Sequence, residues 1–221
     1  MTQAIRSLFA LAVALFALSL TSPARAQDAA AGRQKADTCM GCHGIQGYQA
    51  SFPEVYKVPK LSGQNTQYLI NALNEYKKGE RKHPTMHAVA STLTDKDIAD
   101  LAAFFHQYGA KDIRPAPATL TPPPPPAVAA LIAKGACTSC HGPNLSQPID
   151  PSYPKLAGQY ASYLATALKA YATEGNPYYG RNNAIMSAQA RQFTHAELTQ
   201  IADYVATLPS ELRTVQNPRF R

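Results

Sequence analysis

The sequence predicts two tandem helical domains built on one repeated pattern and separated by a proline-rich join. Three observations predict it. A Cys-x-x-Cys-His motif occurs twice, as Cys39-Met40-Gly41-Cys42-His43 and as Cys137-Thr138-Ser139-Cys140-His141. The residues that follow each motif match one another at constant offsets. Between the halves, Arg114 to Thr121 runs into five consecutive prolines, Pro122 to Pro126. Proline lacks an N–H and fixes φ, so this stretch is neither helix nor inner strand. It is expected to run as a stiff polyproline II strap of roughly 3.1 Å per residue.

The first 26 residues have the layout of a secretory signal peptide. Arg6 gives a basic start, Leu8 to Leu20 is apolar apart from Ser19, and Ala24-Arg25-Ala26 fits a cleavage site. The apolar run is shorter than the roughly 20 residues a membrane span needs, and no later stretch could cross a membrane. The expected segmentation is a signal peptide at 1–26, a first domain at 27–114, a linker at 115–127 and a second domain at 128–221. A protein processed in this way is expected to work in the periplasm.

The repeat extends well beyond the cysteines. Pro59-Lys60-Leu61-Ser62-Gly63-Gln64 answers to Pro154-Lys155-Leu156-Ala157-Gly158-Gln159, and Tyr68, Leu69, Leu73 and Tyr76 recur as Tyr163, Leu164, Leu168 and Tyr171. The spacing of Leu69, Leu73 and Tyr76 puts them on one side of a helix. Thr94 with Asp97, and Thr194 with Glu197, form capping boxes that start the last helix of each half, with Leu93 and Phe193 placed as hydrophobic staples. The repeat period of about 100 residues indicates domain duplication and not a solenoid.

Four cysteines in an exported chain ordinarily suggest disulfides, but here each close pair is followed at once by histidine, the arrangement of a covalent haem site. Two thiols one helical turn apart can add to vinyl groups on one porphyrin edge. The next residue then presents an imidazole to the iron. Cys39, Cys42, Cys137 and Cys140 are thus the expected attachment points of two haem c groups, with His43 and His141 as axial ligands. For the opposite face the candidates are Met86 and Met186, one per half and each eight residues ahead of its capping threonine. An isolated Met would read as core filler; two at matched positions do not. His83 and His87 flank Met86 and leave a His/His first haem conceivable, although their counterparts are Asn183 and Ser187. A zinc set of Cys39, Cys42, His83 and His87 has a gap longer than a finger uses, and no equivalent in the second half.

The formal charge of +7 falls to +5 without Arg6 and Arg25, and four haem propionates would bring it to about +1. The basic residues are dispersed and follow no recognition-helix pattern, so nucleic acid is not expected as a partner. Lys77, Lys78, Arg81 and Lys82 cluster before Met86, either as a solvated helix end or as a patch that steers an acidic partner.

With these motifs placed, the sequence resembles the cytochrome c-four family, dihaem proteins of two class I cytochrome c domains. The resemblance implies an all-α fold of two tandem class I domains joined by the Pro-rich linker. It implies that the Pro59 and Pro154 carbonyls receive the proximal histidine N–H groups. It implies first and last helices that cross in each domain, with Gly32 and Ala130 small enough to sit at the crossings. Tyrosines would pack around the haem edges, and the two haem crevices would face each other across the boundary. The function implied is one-electron transfer in a respiratory chain, not enzymatic catalysis, because His and Met together leave no open position on the iron. Electrons would come from a quinol-oxidising complex or a dehydrogenase and leave to a terminal oxidase or reductase. The rival readings are a permanent dihaem subunit of a dehydrogenase and a dihaem enzyme such as a thiosulfate dehydrogenase or a peroxidase.

Overall fold

The structure is a computed structural model, and residues 27–217 are described. The expected signal peptide at 1–26 lies outside the described residues. The first half contains α1 (Ala29–Lys35), α2 (Asp37–His43), α3 (Thr66–Lys78), α4 (Pro84–Ser91) and α5 (Asp95–Gln107). The second half repeats the order with α6 (Pro126–Lys134), α7 (Cys137–His141), α8 (Ala161–Ala172), α9 (Ala184–Ala190) and α10 (His195–Thr207). Four two-residue strands, which the sequence reading did not anticipate, are β1 (Gln49–Ala50), β2 (Tyr56–Lys57), β3 (Arg81–Lys82) and β4 (Gly180–Arg181), and a 3₁₀ turn covers Ala110–Asp112.

Local signals account for the helix boundaries. Asp28 caps α1 by accepting from the N–H groups of Ala30 and Ala31. Both predicted capping boxes are formed, Thr94 with Asp97 and Thr194 with Glu197. Gly79 ends α3 in the left-handed conformation, which costs a glycine little.

Each half has its own apolar core. In the first, Met40, Leu69, Leu101, Phe104 and Phe105 are buried together. In the second, Val128, Ile132, Leu145, Leu164, Ile201 and Val205 take that part. Gly32 sits where α1 meets α5, and a Cβ there would lie 2.1 Å from the carbonyl oxygen of Asp100. The expected counterpart, Ala130, is exposed. In α6 it is Val128 and Ile132, four residues apart and hence on one face, that enter the core. Ala130, midway between them in sequence, falls on the opposite side.

The linker lies against the second domain. Asn144 Nδ2 donates to the Pro117 carbonyl at 2.7 Å, Tyr204 Oη donates to the Pro122 carbonyl at 2.7 Å, and Leu120 packs on the core. The segment after α10 turns back over the first domain: the Arg213 N–H donates to the Ser62 carbonyl at 2.9 Å, and Asn217 Nδ2 reaches Asp37 at 3.2 Å.

Two of the seams that join the halves are made from the repeat. The Gln64 side chain donates to the Lys155 carbonyl at 3.0 Å and accepts the Lys155 N–H at 2.9 Å. Gln159 does the same to Lys60, at 3.0 Å in each direction. Both glutamines are buried, and each supplies both bonds that a buried peptide group needs. The second seam is the antiparallel ladder of β3 with β4, which sets Arg81 opposite Arg181.

One ion cluster fastens α1 to α5. Asp100 is fully buried and pairs with Lys35 at 2.9 Å and Lys96 at 2.9 Å, while it also accepts the Asp28 N–H. Burial alone would raise its pKa, but hydrogen bonds from Lys35, Lys96 and the Asp28 N–H outweigh it and hold the carboxyl at about 2. A carboxyl depressed on folding contributes stability above its unfolded value, and that contribution is lost as pH falls through the folded one. Asp100→Asn is therefore expected to lower the Tm of the holoprotein at neutral pH. The gap to wild type should close between about pH 4 and pH 2, as thermal scans by circular dichroism across that range would read.

Candidate functional site

The two Cys-x-x-Cys-His motifs lie on α2 and α7, so the cysteines of each pair stand one turn apart with the histidine as the last helical residue. All four cysteines are free thiols and half-buried. Burial pushes the Cys39 thiol up to about 11 and raises Cys137 as well. Both thus stay protonated at neutral pH in the metal-free protein.

Each motif histidine is oriented by a proline carbonyl. His43 Nδ1 lies 2.9 Å from Pro59 O and His141 Nδ1 lies 3.0 Å from Pro154 O. A carbonyl can only accept, so Nδ1 carries the proton and Nε2 keeps its lone pair for a metal. Burial holds both imidazoles below their ordinary pKa, partly offset by the same proline carbonyls. They are accordingly neutral and able to ligate at physiological pH.

In the second half, the predicted residues come together on one cavity of about 240 Å³. Cys137, Cys140 and His141 line it on one side, and Met186 reaches it from α9. The rest of its wall is mainly apolar, including Leu145, Leu164, Phe193 and Ile201, with Tyr153, Tyr163 and Tyr171 among them. Tyr68, Asn71 and Glu75 of α3 also line it, so the first domain forms part of the second domain's cavity wall. A group with two vinyl attachment points, an apolar ring and a metal requiring an imidazole and a soft sulfur fits this donor set. The residues present therefore suit a haem.

The methionine helices are built alike. The Met186 N–H donates to Asn183 Oδ1 at 3.0 Å, and the Met86 N–H donates to His83 Nδ1 at 3.2 Å. His83 thus takes the helix-capping place that Asn183 occupies in the second half. Its other ring nitrogen, Nε2, lies 2.8 Å from Tyr56 Oη. With Nδ1 accepting and Nε2 bonded, neither nitrogen is left for iron. His87 Nδ1 bonds to the Tyr76 carbonyl at 2.8 Å. Met40 is 1% exposed and belongs to the first core, which gives it a packing role.

The basic cluster before Met86 does not form one surface patch. Arg81 is 3% exposed, Lys77 donates to the Leu93 carbonyl at 2.7 Å, and Lys82 donates to the Asn176 carbonyl at 2.6 Å. Sequence reasoning missed the placement of Arg81. The available signal was its spacing: Arg81 and Arg181 each stand five residues before their methionine. Arg81 lies over the rings of Tyr68 and Tyr76, and Arg181 over those of Tyr163 and Tyr171. Burial would push the Tyr163 phenol up, but Arg181 and Arg81 together bring it down to about 8, so it keeps its proton at neutral pH.

A family model described as Cytochrome c matches residues 29–108 and again 127–209. Cytochrome c4 of Azotobacter vinelandii is 32% identical over 216 residues, which cover 90% of this chain and 98% of that relative. A protein of Thiomonas intermedia (strain K12) named thiosulfate dehydrogenase electron acceptor is 30% identical over 189 residues, 81% of this chain and 82% of that one. Among solved structures, reduced recombinant cytochrome c4 from Pseudomonas stutzeri aligns with a TM-score of 0.62 at 30% identity, covering 83% of this chain and all of its own.

The capping role of His83 has a direct check. His83→Asn, which copies Asn183, is expected to leave the visible spectrum and stability of the holoprotein near wild type. His83→Ala should leave the spectrum unchanged while costing about 1 kcal/mol in denaturant unfolding, as for loss of a helix cap. A spectral change in both variants would return His83 to the list of iron ligands.

Proposed function

The chain belongs to the cytochrome c family, in its cytochrome c4 branch, and from that premise we propose that it is a periplasmic one-electron carrier of a respiratory chain with two His/Met-ligated haems. As a member of that branch it carries two covalently bound haem c groups and is an electron-transfer protein, not an enzyme. The observation that carries the proposal is the meeting of Cys137, Cys140, His141 and Met186 on one apolar cavity.

In this reading, Cys39 with Cys42, and Cys137 with Cys140, hold the haems by thioether bonds. His43 and His141 would hold the iron through Nε2, and Met86 and Met186 through sulfur. The bound iron supplies a reversible one-electron change. The protein's part is to keep that change free of side reactions. With an imidazole and a thioether both engaged, the iron would offer no place for a substrate. Pro59 and Pro154 fix the imidazole tautomer and raise ligand basicity. Sulfur ligation favours the ferrous state and raises the potential. The apolar wall acts in the same direction because it disfavours the extra positive charge of the ferric state.

Ligation is tested by single replacements in protein matured in an exporting host. Met86→Ala and Met186→Ala are each expected to keep two haems per chain by the pyridine haemochrome assay. Each should lose about half of the weak red absorption band that sulfur-ligated ferric haem shows. Variants with full band intensity would remove the methionines from the ligand set.

The electron donor remains a choice between two classes, a quinol-oxidising complex or a periplasmic dehydrogenase, with a terminal oxidase or reductase as acceptor. Similarity to the thiosulfate dehydrogenase electron acceptor of Thiomonas intermedia supports a dehydrogenase as donor. Stopped-flow reduction of the oxidised holoprotein separates the classes. Rapid reduction by a thiosulfate dehydrogenase with thiosulfate, and slow reduction by a quinol-oxidising complex with quinol, is the expected result for a dehydrogenase-fed carrier. The reverse pattern assigns it to the quinol branch.

A further inference from the structure

Arg81, which is buried, and Arg181, which is half-buried, face each other where the domains meet. Arg81 and Arg181 are ladder partners on β3 and β4. Arg81 donates to Tyr68 Oη at 2.9 Å and Arg181 to Tyr163 Oη at 3.2 Å, both neutral acceptors. Each guanidinium has five N–H donors. Arg81 Nε is buried with no hydrogen-bond partner, although the residue is only 3% exposed. Among the described residues, no carboxylate forms an ion pair with either arginine. A buried cation without a counter-charge is strongly unfavourable, and two of like sign side by side are more so.

The missing charge has a defined direction of approach. Arg181, Tyr163 and Tyr68 line the same cavity as Cys137, Cys140, His141 and Met186. An anion entering that cavity to meet Arg181 comes upon a rigid fork that suits two carboxylate oxygens. The guanidinium lies over the rings of Tyr163 and Tyr171, at 5.5 and 5.1 Å from their centroids.

We propose that Arg81 and Arg181 form one carboxylate-binding seam that takes propionates of both haems, so that the interdomain ladder, and not each domain separately, completes the two haem sites. The inference rests on the dihaem reading given above. It makes each arginine a positioning residue for two cofactors. Loss of either charge acts on both haems, because the arginines are neighbours across one ladder.

The test uses the exported holoprotein, with its two haems counted beforehand by pyridine haemochrome. A wild-type count below two would sink the dihaem reading itself and is thereby distinguishable from failure of the seam. Midpoint potentials of both haems are then titrated in Arg81→Gln and Arg181→Gln. Removing a nearby positive charge favours the ferric state. Each variant is expected to lower the reduction equilibrium constant of its own haem by about tenfold, or about 59 mV for one electron, and to lower that of the other haem measurably. Unchanged potentials at both haems overturn the proposal, and a shift confined to one haem overturns the shared seam.

If the Gln variants lose haem, the Lys variants decide. Arg81→Lys and Arg181→Lys keep the charge but lose the planar fork. They are expected to shift the propionate-bending band in the resonance Raman spectrum while potentials stay near wild type; an unmoved band overturns the seam. A free anion could supply the same charge, so the wild-type potentials are also measured with rising phosphate at constant ionic strength. Independence of phosphate supports the haem carboxylates, and a saturable shift assigns the site to a soluble anion and overturns the proposal.

Discussion

A single hexapeptide, used twice, ties the metal-binding residues to the domain boundary. In the first copy the Pro59 carbonyl orients His43, and five residues later Gln64 pairs with both peptide groups of Lys155. Lys155 directly follows Pro154, whose carbonyl orients His141. The second copy returns the favour through Gln159 and Lys60, next to Pro59. Each imidazole is thus held by a backbone that the opposite domain holds in turn. Gly63 and Gly158 permit this path, with φ of +86° and +64°, where a side chain would be strained. Their N–H groups donate to the carbonyls of Phe105 and Val205 on the last helices, which anchors the segment to each core.

The rest of the architecture follows from the need to keep this framework dry and stiff. The capping boxes set where α5 and α10 begin, and so set the height of the core residues that back the hexapeptide. The linker is laid over the second domain by side-chain bonds to its carbonyls, and the segment after α10 over the first by a backbone bond and a side-chain bond. Among the described residues, one buried side-chain donor at the boundary lacks a partner, Arg81 Nε. The side chains that the two arginines bond to and lie over are tyrosines, which suits a cofactor that brings its own carboxylates.

Much of this was legible in the sequence because it is written in local or repeated signals. Cysteine spacing, the Thr-x-x-Asp and Thr-x-x-Glu boxes and the Met positions each fix one element without knowledge of the others. The matching hexapeptides were also visible, but their glutamines gave no sign that they reach across the boundary, since a pairing over 91 residues leaves no periodicity. Arg81 was hidden for a related reason. Among Lys77, Lys78 and Lys82 it reads as a solvated charge, and only the fold turns it inward. Ala130 misled because equal distance from a motif does not guarantee equal helix phase: α6 starts after a proline run, whereas α1 starts from an aspartate cap. His83 looked like a ligand on residue type alone, yet its place in the chain is that of the capping Asn183.

The return of residues 211–217 over the first domain has a bearing on the order in which the protein matures. Arg213 bonds to the Ser62 carbonyl, and Asn217 joins Arg33 on the Asp37 carboxylate. A chain emerging from its amino end exposes the first Cys-x-x-Cys-His segment long before those contacts exist. The first motif emerges well ahead of the second, and both precede the closing segment in the chain. Final closure of the older half waits on the younger one.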